Sequence, residues 1–236
     1  MIETDSLLNE AIQEYVDELL TKEDPQKNAL LSPQAKRVAL EEKVRSDVNF
    51  IGLGNLISSA LNSAYNEGTR YLSLENYEAL LESLDLLSEH LEDLGLHFEN
   101  FNEKALMQAL MISDIAEQNI LQIAIEKTKE GLLEESLALH FFLTLSNPNE
   151  ADYWLRLGLI AEKSEKYELA SKAFSTVSRL LPDFIGSRIF AAGCYLLRNM
   201  PDLAKEQFHE AEEMSKKLKV KGEWQNELAA LKTALQ

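Results

Sequence analysis

Residues 151–184 carry a spacing of small, bulky and proline residues that few folds accommodate. In order along the chain these are Trp154, Leu157, Gly158, Ala170, Phe174 and Pro182. Two antiparallel helices approach closely only where small residues, here Gly158 and Ala170, face bulky ones. Pro182 then ends the second helix, because proline has no backbone N–H to donate. The spacing therefore predicts two packed antiparallel helices within this stretch.

The same spacing recurs in weaker form on both sides, in phase with the first. The downstream copy carries Ala192, Tyr195, Ala204 and Phe208, and the upstream copy carries Ile120, Ala124, Gly131, Ser136 and Pro148. This is the tetratricopeptide (TPR) pattern, in which each helix pair buries its apolar face only against its neighbours. The sequence therefore predicts an all-α solenoid of helical hairpins. Its three repeats are expected at 117–150, 151–184 and 185–218, followed by a capping helix at 222–235.

The repeats occupy only the second half of the 236-residue chain, which divides the sequence into two regions. We expect a TPR domain over residues 113–236 and a further helical region over residues 1–112. Within that region, residues 3–20 form an amphipathic pattern that has no evident partner before a linker containing Pro25. Residues 1–31 are therefore a candidate dimerisation arm.

The net charge of −17 argues against two classes of partner. A chain this acidic is repelled by phosphate backbones and anionic lipid headgroups, so we expect neither nucleic-acid binding nor stable membrane anchoring. A single cysteine, Cys194, leaves no intramolecular disulfide and fits a reducing compartment. The N-terminus lacks the basic region of a signal peptide, so the protein is expected in the cytoplasm.

Motifs that carry chemistry are absent from the sequence. There is no phosphate-binding loop, no dinucleotide glycine motif, no Gly-x-Ser-x-Gly and no zinc-spaced set of Cys and His. His90 and His97 are interpreted as surface residues, because Gly95 between them is expected to end their helix. Cys194 is expected to pack between helices. We therefore predict a protein that is not an enzyme and that holds no cofactor or metal.

The first helices of successive repeats in a TPR array line a concave groove, mainly through positions two, five, nine, twelve and thirteen. Those positions include Leu121, Ile125, Lys129, Leu155, Leu159, Glu162, Lys163, Ile189, Leu196 and Leu197. As a set they predict an apolar groove for an extended apolar peptide. For any single residue the alternative is packing between helices. Partial exposure is expected for Leu121, Ile125, Leu155, Leu159 and Ile189.

Details within the repeats resemble one TPR family, the class II chaperones of bacterial type III secretion of the SycD/LcrH type. The resemblance rests on Gly131 with Ser136, on Trp154-Leu155-Arg156-Leu157-Gly158, and on Phe190-Ala191-Ala192-Gly193-Cys194-Tyr195-Leu196, where Gly193 stands in place of the family's glutamate. It covers roughly residues 115–214. It implies a small acidic cytosolic protein with a role in virulence, which holds a hydrophobic, aggregation-prone translocator protein in the groove before export. It also implies a homodimer formed through N-terminal helices.

Two functions remain open at this point, because a fold alone does not decide function. The first is a secretion chaperone that binds and shields an apolar secreted protein. The second is a structural TPR scaffold or adaptor that joins subunits of a protein assembly and has no client to release. Small size, acidity and an apolar groove favour the first. Neighbouring genes for apolar secreted proteins would favour it further.

Overall fold

The computed structural model describes residues 37, 55–93, 110–219 and 221–235 of the chain. Contacts between residues divide the chain into two compact units, Met1–Asn55 and Leu56–Gln236. The predicted amphipathic helix at 3–20 and the candidate arm at 1–31 lie outside the described residues and stay predictions. The predicted domain boundary after residue 112 also stays a prediction.

The described part of the chain is helical and contains no strand, which confirms the predicted all-α class. Residues 55–71 form helix α1. The helices that follow are α2 (Leu74–Asp93), α3 (Asp114–Glu130), α4 (Leu133–Ser146), α5 (Ala151–Lys163), α6 (Tyr167–Leu180), α7 (Ile185–Leu197), α8 (Pro201–Leu218) and α9 (Glu223–Ala234). Helices α3 to α8 pack as successive hairpins and α9 follows them, as the repeat pattern predicts.

Each of these hairpins turns through one residue in the left-handed region of backbone conformation. The residues are Gly131 with φ 82°, Glu165 with φ 59° and Asn199 with φ 57°. Glycine adopts this conformation without strain and asparagine does so at little cost, so two of the three turns suit their residue. Between hairpins, α4 and α6 end two residues before Pro148 and Pro182, because proline cannot continue a helix.

In the hairpin of α5 and α6, the Phe174 ring of α6 packs directly against Gly158 of α5. A Cβ atom at Gly158 would lie 2.5 to 2.9 Å from three ring atoms of Phe174, which is itself fully buried. A larger residue at this point would therefore force the two helices apart or displace the ring. Phe174 also contacts Phe190 of α7, with the ring centroids 5.1 Å apart. Gly158 and Phe174 thus make the predicted contact between a small and a bulky residue within one hairpin. Through Phe190, the same ring also contacts the next hairpin.

The last helix, α9, packs on α7 and α8. Its Trp224 ring meets Phe184 and Phe190 edge-on, at centroid distances of 5.9 and 5.7 Å. A buried cluster beside them contains Ile185, Ile189, Phe208, Ala211 and Leu228. Helix α9 therefore covers the apolar face that the last repeat would otherwise leave in water.

Helices α1 and α2 form a further hairpin, which packs against α3. Tyr77 of α2 fills the space beside Gly68, where a Cβ atom would lie 2.6 Å from its ring. The Asn119 amide of α3 donates a hydrogen bond to the Asn76 carbonyl at 2.8 Å. Within the described residues the array is therefore one hairpin longer than the repeat pattern indicates.

A buried lysine joins this extra hairpin to the first repeat. The Lys127 side chain is 0% exposed, and its ammonium donates to Glu67 of α1 at 2.8 Å and to Glu135 of α4. It also lies 5.3 Å from the centre of the Tyr71 ring. Burial alone would lower the pKa of Lys127, but the hydrogen bonds to Glu135 and Glu67 outweigh burial and raise it. The cluster therefore holds α1, α3 and α4 together around a permanent charge.

Candidate functional site

Apolar side chains at the predicted groove positions are exposed to different degrees. Leu159 of α5 is 40% exposed and Leu197 of α7 is 59% exposed. Four others are half-buried, namely Leu121, Ile125, Leu155 and Leu196. Leu121, Ile125, Leu155 and Leu159 thus have the partial exposure that the repeat register predicts. Their part in binding stays a prediction.

The expectation of partial exposure is wrong for Ile189, which is 3% exposed. Its side chain lies in the buried cluster with Leu228, because α9 packs on the first half of α7. Gly186, another groove position, is covered by the same helix, since a Cβ atom there would lie 2.6 Å from the Trp224 ring. Helix α9 therefore closes one end of the predicted groove.

The groove positions that α9 leaves uncovered lie on α3, α5 and the second half of α7, and we call them the open groove. Its residues are Gln118, Leu121, Ile125, Thr128, Asp152, Leu155, Leu159, Glu162, Gly193, Leu196 and Leu197. Lys129 and Lys163 are exposed at its edge. Lys129 donates to Glu126 of its own helix at 2.7 Å, whereas Lys163 forms no ion pair within the part of the chain that the structure describes.

Two carboxylates stand at positions of the open groove, and both are half-buried. Asp152 forms an ion pair with Arg156, whereas Glu162 forms none within the described residues. Burial raises the pKa of Glu162, because a carboxylate that is partly withdrawn from water is less stable when charged. The same carboxylate acts on the buried Cys194 thiol of α7, whose pKa rises to about 12 through burial first and the Glu162 charge second. Glu162 therefore lies near the packed side of α7 as well as on the groove.

Gly193 leaves a gap in the wall of the open groove. Nothing lies within 4 Å of the position that its Cβ atom would take. The residue occupies the ninth position of its repeat, directly before Cys194 in α7. The open groove consequently has free space on the helix next to Glu162.

Sequence reasoning missed a buried carboxylate at the junction of the first two repeats. Glu117 of α3 accepts hydrogen bonds from the Tyr153 hydroxyl at 3.0 Å and from the Asn147 amide at 3.3 Å. Burial, followed by the Glu117 charge, raises the pKa of Tyr153, which therefore stays a hydrogen-bond donor. No local spacing indicates this network, because Glu117 and Tyr153 are 36 residues apart.

A buried histidine was also missed, although the repeat register contains the signal. His140 of α4 occupies the position that Phe174 and Phe208 occupy in the next two repeats. It is 2% exposed, and its Nδ1 atom has no hydrogen-bond partner. Burial and then the Arg156 charge lower the pKa of His140 to about 4, while Asp152 acts in the opposite direction. His140 is therefore neutral at pH 7 and packs as an aromatic residue.

The described residues offer little support for other kinds of site. Among them, no group of three or more His, Cys, Asp or Glu side chains is arranged to hold a metal ion. None of the described helices combines the length and apolarity needed to cross a bilayer. A concavity of about 400 Å³ lies between α1 and α2 and includes Leu61, Tyr65, Leu84 and Leu87. It shares no residue with the open groove.

No protein-family model and no curated protein matches the chain, whereas solved structures do. SycD of Yersinia enterocolitica, solved in complex with a peptide of the translocator YopD, is 21% identical; the match covers 52% of this chain and 97% of that one, with a TM-score of 0.43. PcrH from Pseudomonas aeruginosa is 18% identical over 52% of this chain and 91% of that one, with a TM-score of 0.44. MamA is 16% identical over 74% of this chain and 94% of that one, with a TM-score of 0.42.

The matched structures thus include type III secretion chaperones, the class that the repeat residues resemble. They are helical proteins. The similarity is distant in sequence and partial in shape.

Proposed function

We propose that the protein is a chaperone that binds an apolar segment of a secreted protein in the open groove and shields it before export. The observation that supports this is the exposure of Leu159 and Leu197 at groove positions of neighbouring first helices. Exposed apolar side chains that share one face favour a partner that covers them. The client class, a hydrophobic translocator of type III secretion, is the one that the sequence resemblance implies. Such a chaperone acts in the cytoplasm.

An extended apolar segment suits this surface better than an acidic peptide does. Helices α3, α5 and α7 present equivalent positions one repeat apart, so successive apolar anchors of a peptide would meet successive helices. An acidic peptide would need several free cations. Lys129 is already paired with Glu126, and the chain carries a net charge of −17. Electrostatics therefore disfavour an acidic ligand.

The test uses random dodecapeptides displayed on phage and selected against the full-length protein. We expect apolar peptides to be enriched, and their affinity is then measured by fluorescence anisotropy. Leu159→Glu should weaken binding by about tenfold or more, because a few desolvated anchors carry most of the affinity in such interfaces. The substitution is at an exposed position, so it should change the free energy of unfolding by no more than about 0.5 kcal/mol.

Leu203→Glu is the matched control. Leu203 is 42% exposed on α8, close to the exposure of Leu159, and it lies outside the groove positions. This variant should bind the selected peptides as the wild type does. Equal loss of affinity in both variants would contradict binding in the open groove. A selection that yields no binding peptide would favour the alternative function, a structural TPR scaffold that joins folded subunits of an assembly.

A further inference from the structure

Among the carboxylates of residues 55–90, 110–219 and 221–235 that are buried or half-buried, only Glu162 forms no ion pair and no hydrogen bond with another side chain. All the others form an ion pair or a hydrogen bond with a side chain; they are Glu67, Glu117, Glu126, Glu135, Asp152, Glu210 and Glu212. The Glu162 carboxylate has no such partner in this part of the chain. A charge withdrawn from water without a partner lowers stability, so a residue of this kind suggests a role outside the folded chain.

Glu162 lies in the middle repeat of the open groove, one residue before the end of α5. It holds the twelfth place of the middle repeat, and the same place is taken by Thr128 in the first repeat and Leu196 in the third. The Thr128 hydroxyl is engaged with its own helix, since it donates to the Ala124 carbonyl at 2.9 Å. Glu162 is therefore the one anionic group among these equivalent positions.

Nearby cations of the chain do not neutralise Glu162. Lys163 follows it in sequence but is exposed and makes no ion pair with it. Arg198, the other charge that acts on the Cys194 thiol, donates to the Ser171 hydroxyl at 3.2 Å and lies over the Tyr195 ring at 5.9 Å. No cation of the described residues pairs with Glu162, so a ligand would supply one, and Gly193 leaves open space for a ligand side chain on α7.

We propose that the apolar segment bound in the open groove carries a lysine or arginine, and that this side chain donates to the Glu162 carboxylate while its apolar neighbours lie on Leu159 and Leu197. The inference rests on the proposed function, because it specifies the ligand of the same groove. Apolar contacts would supply the affinity. The ion pair would set the register of the segment and reject segments that place an acid or no cation at this point.

This ion pair would make the affinity for the peptide depend on pH, and the direction of that dependence follows from the pKa of Glu162. Burial raises the pKa of Glu162 in the free protein, and a ligand cation would lower it again by favouring the charged form. Binding then releases a proton in the range where free Glu162 titrates. Affinity for a cationic peptide should consequently rise with pH across that range, and the rise should be absent in Glu162→Gln.

The experiment uses the selected dodecapeptides. We expect them to contain Lys or Arg at a fixed distance from the apolar anchors. Glu162→Gln should weaken their binding by about tenfold or more, the size expected when a hydrogen bond to a charged group is lost. Replacing the peptide cation by methionine should cause the same loss in the wild type and no further loss in Glu162→Gln. Glu213→Gln is the matched control, because it removes one negative charge from an exposed position of α8 outside the groove, and it should retain the binding.

The outcomes separate this inference from the function on which it rests. Selected peptides without a conserved cation, or equal affinities for the wild type and Glu162→Gln, would overturn the role of Glu162. If Leu159→Glu still weakens binding in that case, the groove remains the binding surface. If Leu159→Glu also binds normally, the proposed function fails as well. Melting of each variant excludes unfolding as the cause of any loss.

Discussion

Replacing Gly158 with alanine is expected to lower the free energy of unfolding by about 1–3 kcal/mol, the usual cost of overpacking a close contact. The added Cβ atom would lie 2.5 Å from the Phe174 ring, and that ring cannot move freely because it is fully buried and contacts Phe190. Each kcal/mol should lower the melting temperature by about 2–4 °C in a protein of this size. Thermal and denaturant unfolding measure both quantities.

Gly193→Ala is the matched control for this prediction, because it makes the same chemical change in the next first helix. Nothing lies within 4 Å of the added Cβ atom at that position. Alanine in a helix interior is more stable than glycine by about 0.5–1 kcal/mol, so this variant should melt at a higher temperature than the wild type. Shifts of the same sign in both variants would mean that the contact between α5 and α6 is wrongly placed.

Acidification is expected to destabilise the protein through His140. The folded-state pKa of about 4 lies below the ordinary value of 6.5, so the unfolded chain binds the proton more tightly. Stability attributable to neutral His140 is therefore complete above pH 6.5 and falls as the pH is lowered towards 4. The difference in pKa corresponds to a loss of about 3 kcal/mol over that interval. Phenylalanine, which stands at this position in the other two repeats, should remove the loss.

Denaturant unfolding of the wild type and His140→Phe between pH 7 and pH 4 checks this prediction. The wild type should lose more stability than the variant as the pH falls, and the variant should be at least as stable at pH 7 because it has no unpartnered Nδ1 atom. His209→Phe is the control, since His209 is exposed on α8. Parallel pH profiles for the wild type and His140→Phe would contradict the packing described for this residue.

The part of the fold that could be predicted is the part in which each residue acts on its neighbours within one repeat. Gly158 and Phe174 lie sixteen positions apart in a fixed pattern, and their contact is where the pattern places it. The turn at Gly131 follows from local backbone chemistry in the same way. Such features depend on spacing, and spacing is visible in a sequence.

Features that depend on contact between different parts of the chain could not be predicted in this way. The hairpin of α1 and α2 packs on the first repeat through Lys127 and Glu67, which are 60 residues apart and read separately as surface charges. Ile189 is buried because α9 packs against it, although its repeat position alone indicates exposure. The open groove is therefore shorter at one end than the repeat register predicts.

The most direct test of binding in the open groove is photo-cross-linking from a defined position. We would place p-benzoylphenylalanine at Leu159 or at Leu203 of the full-length protein and irradiate each variant with a selected apolar dodecapeptide. Mass spectrometry should identify a covalent adduct of the peptide with the Leu159 variant and none with the Leu203 variant, because only Leu159 lies in the open groove. Adducts from Leu203, or none from Leu159 while the peptide remains bound, would contradict the account.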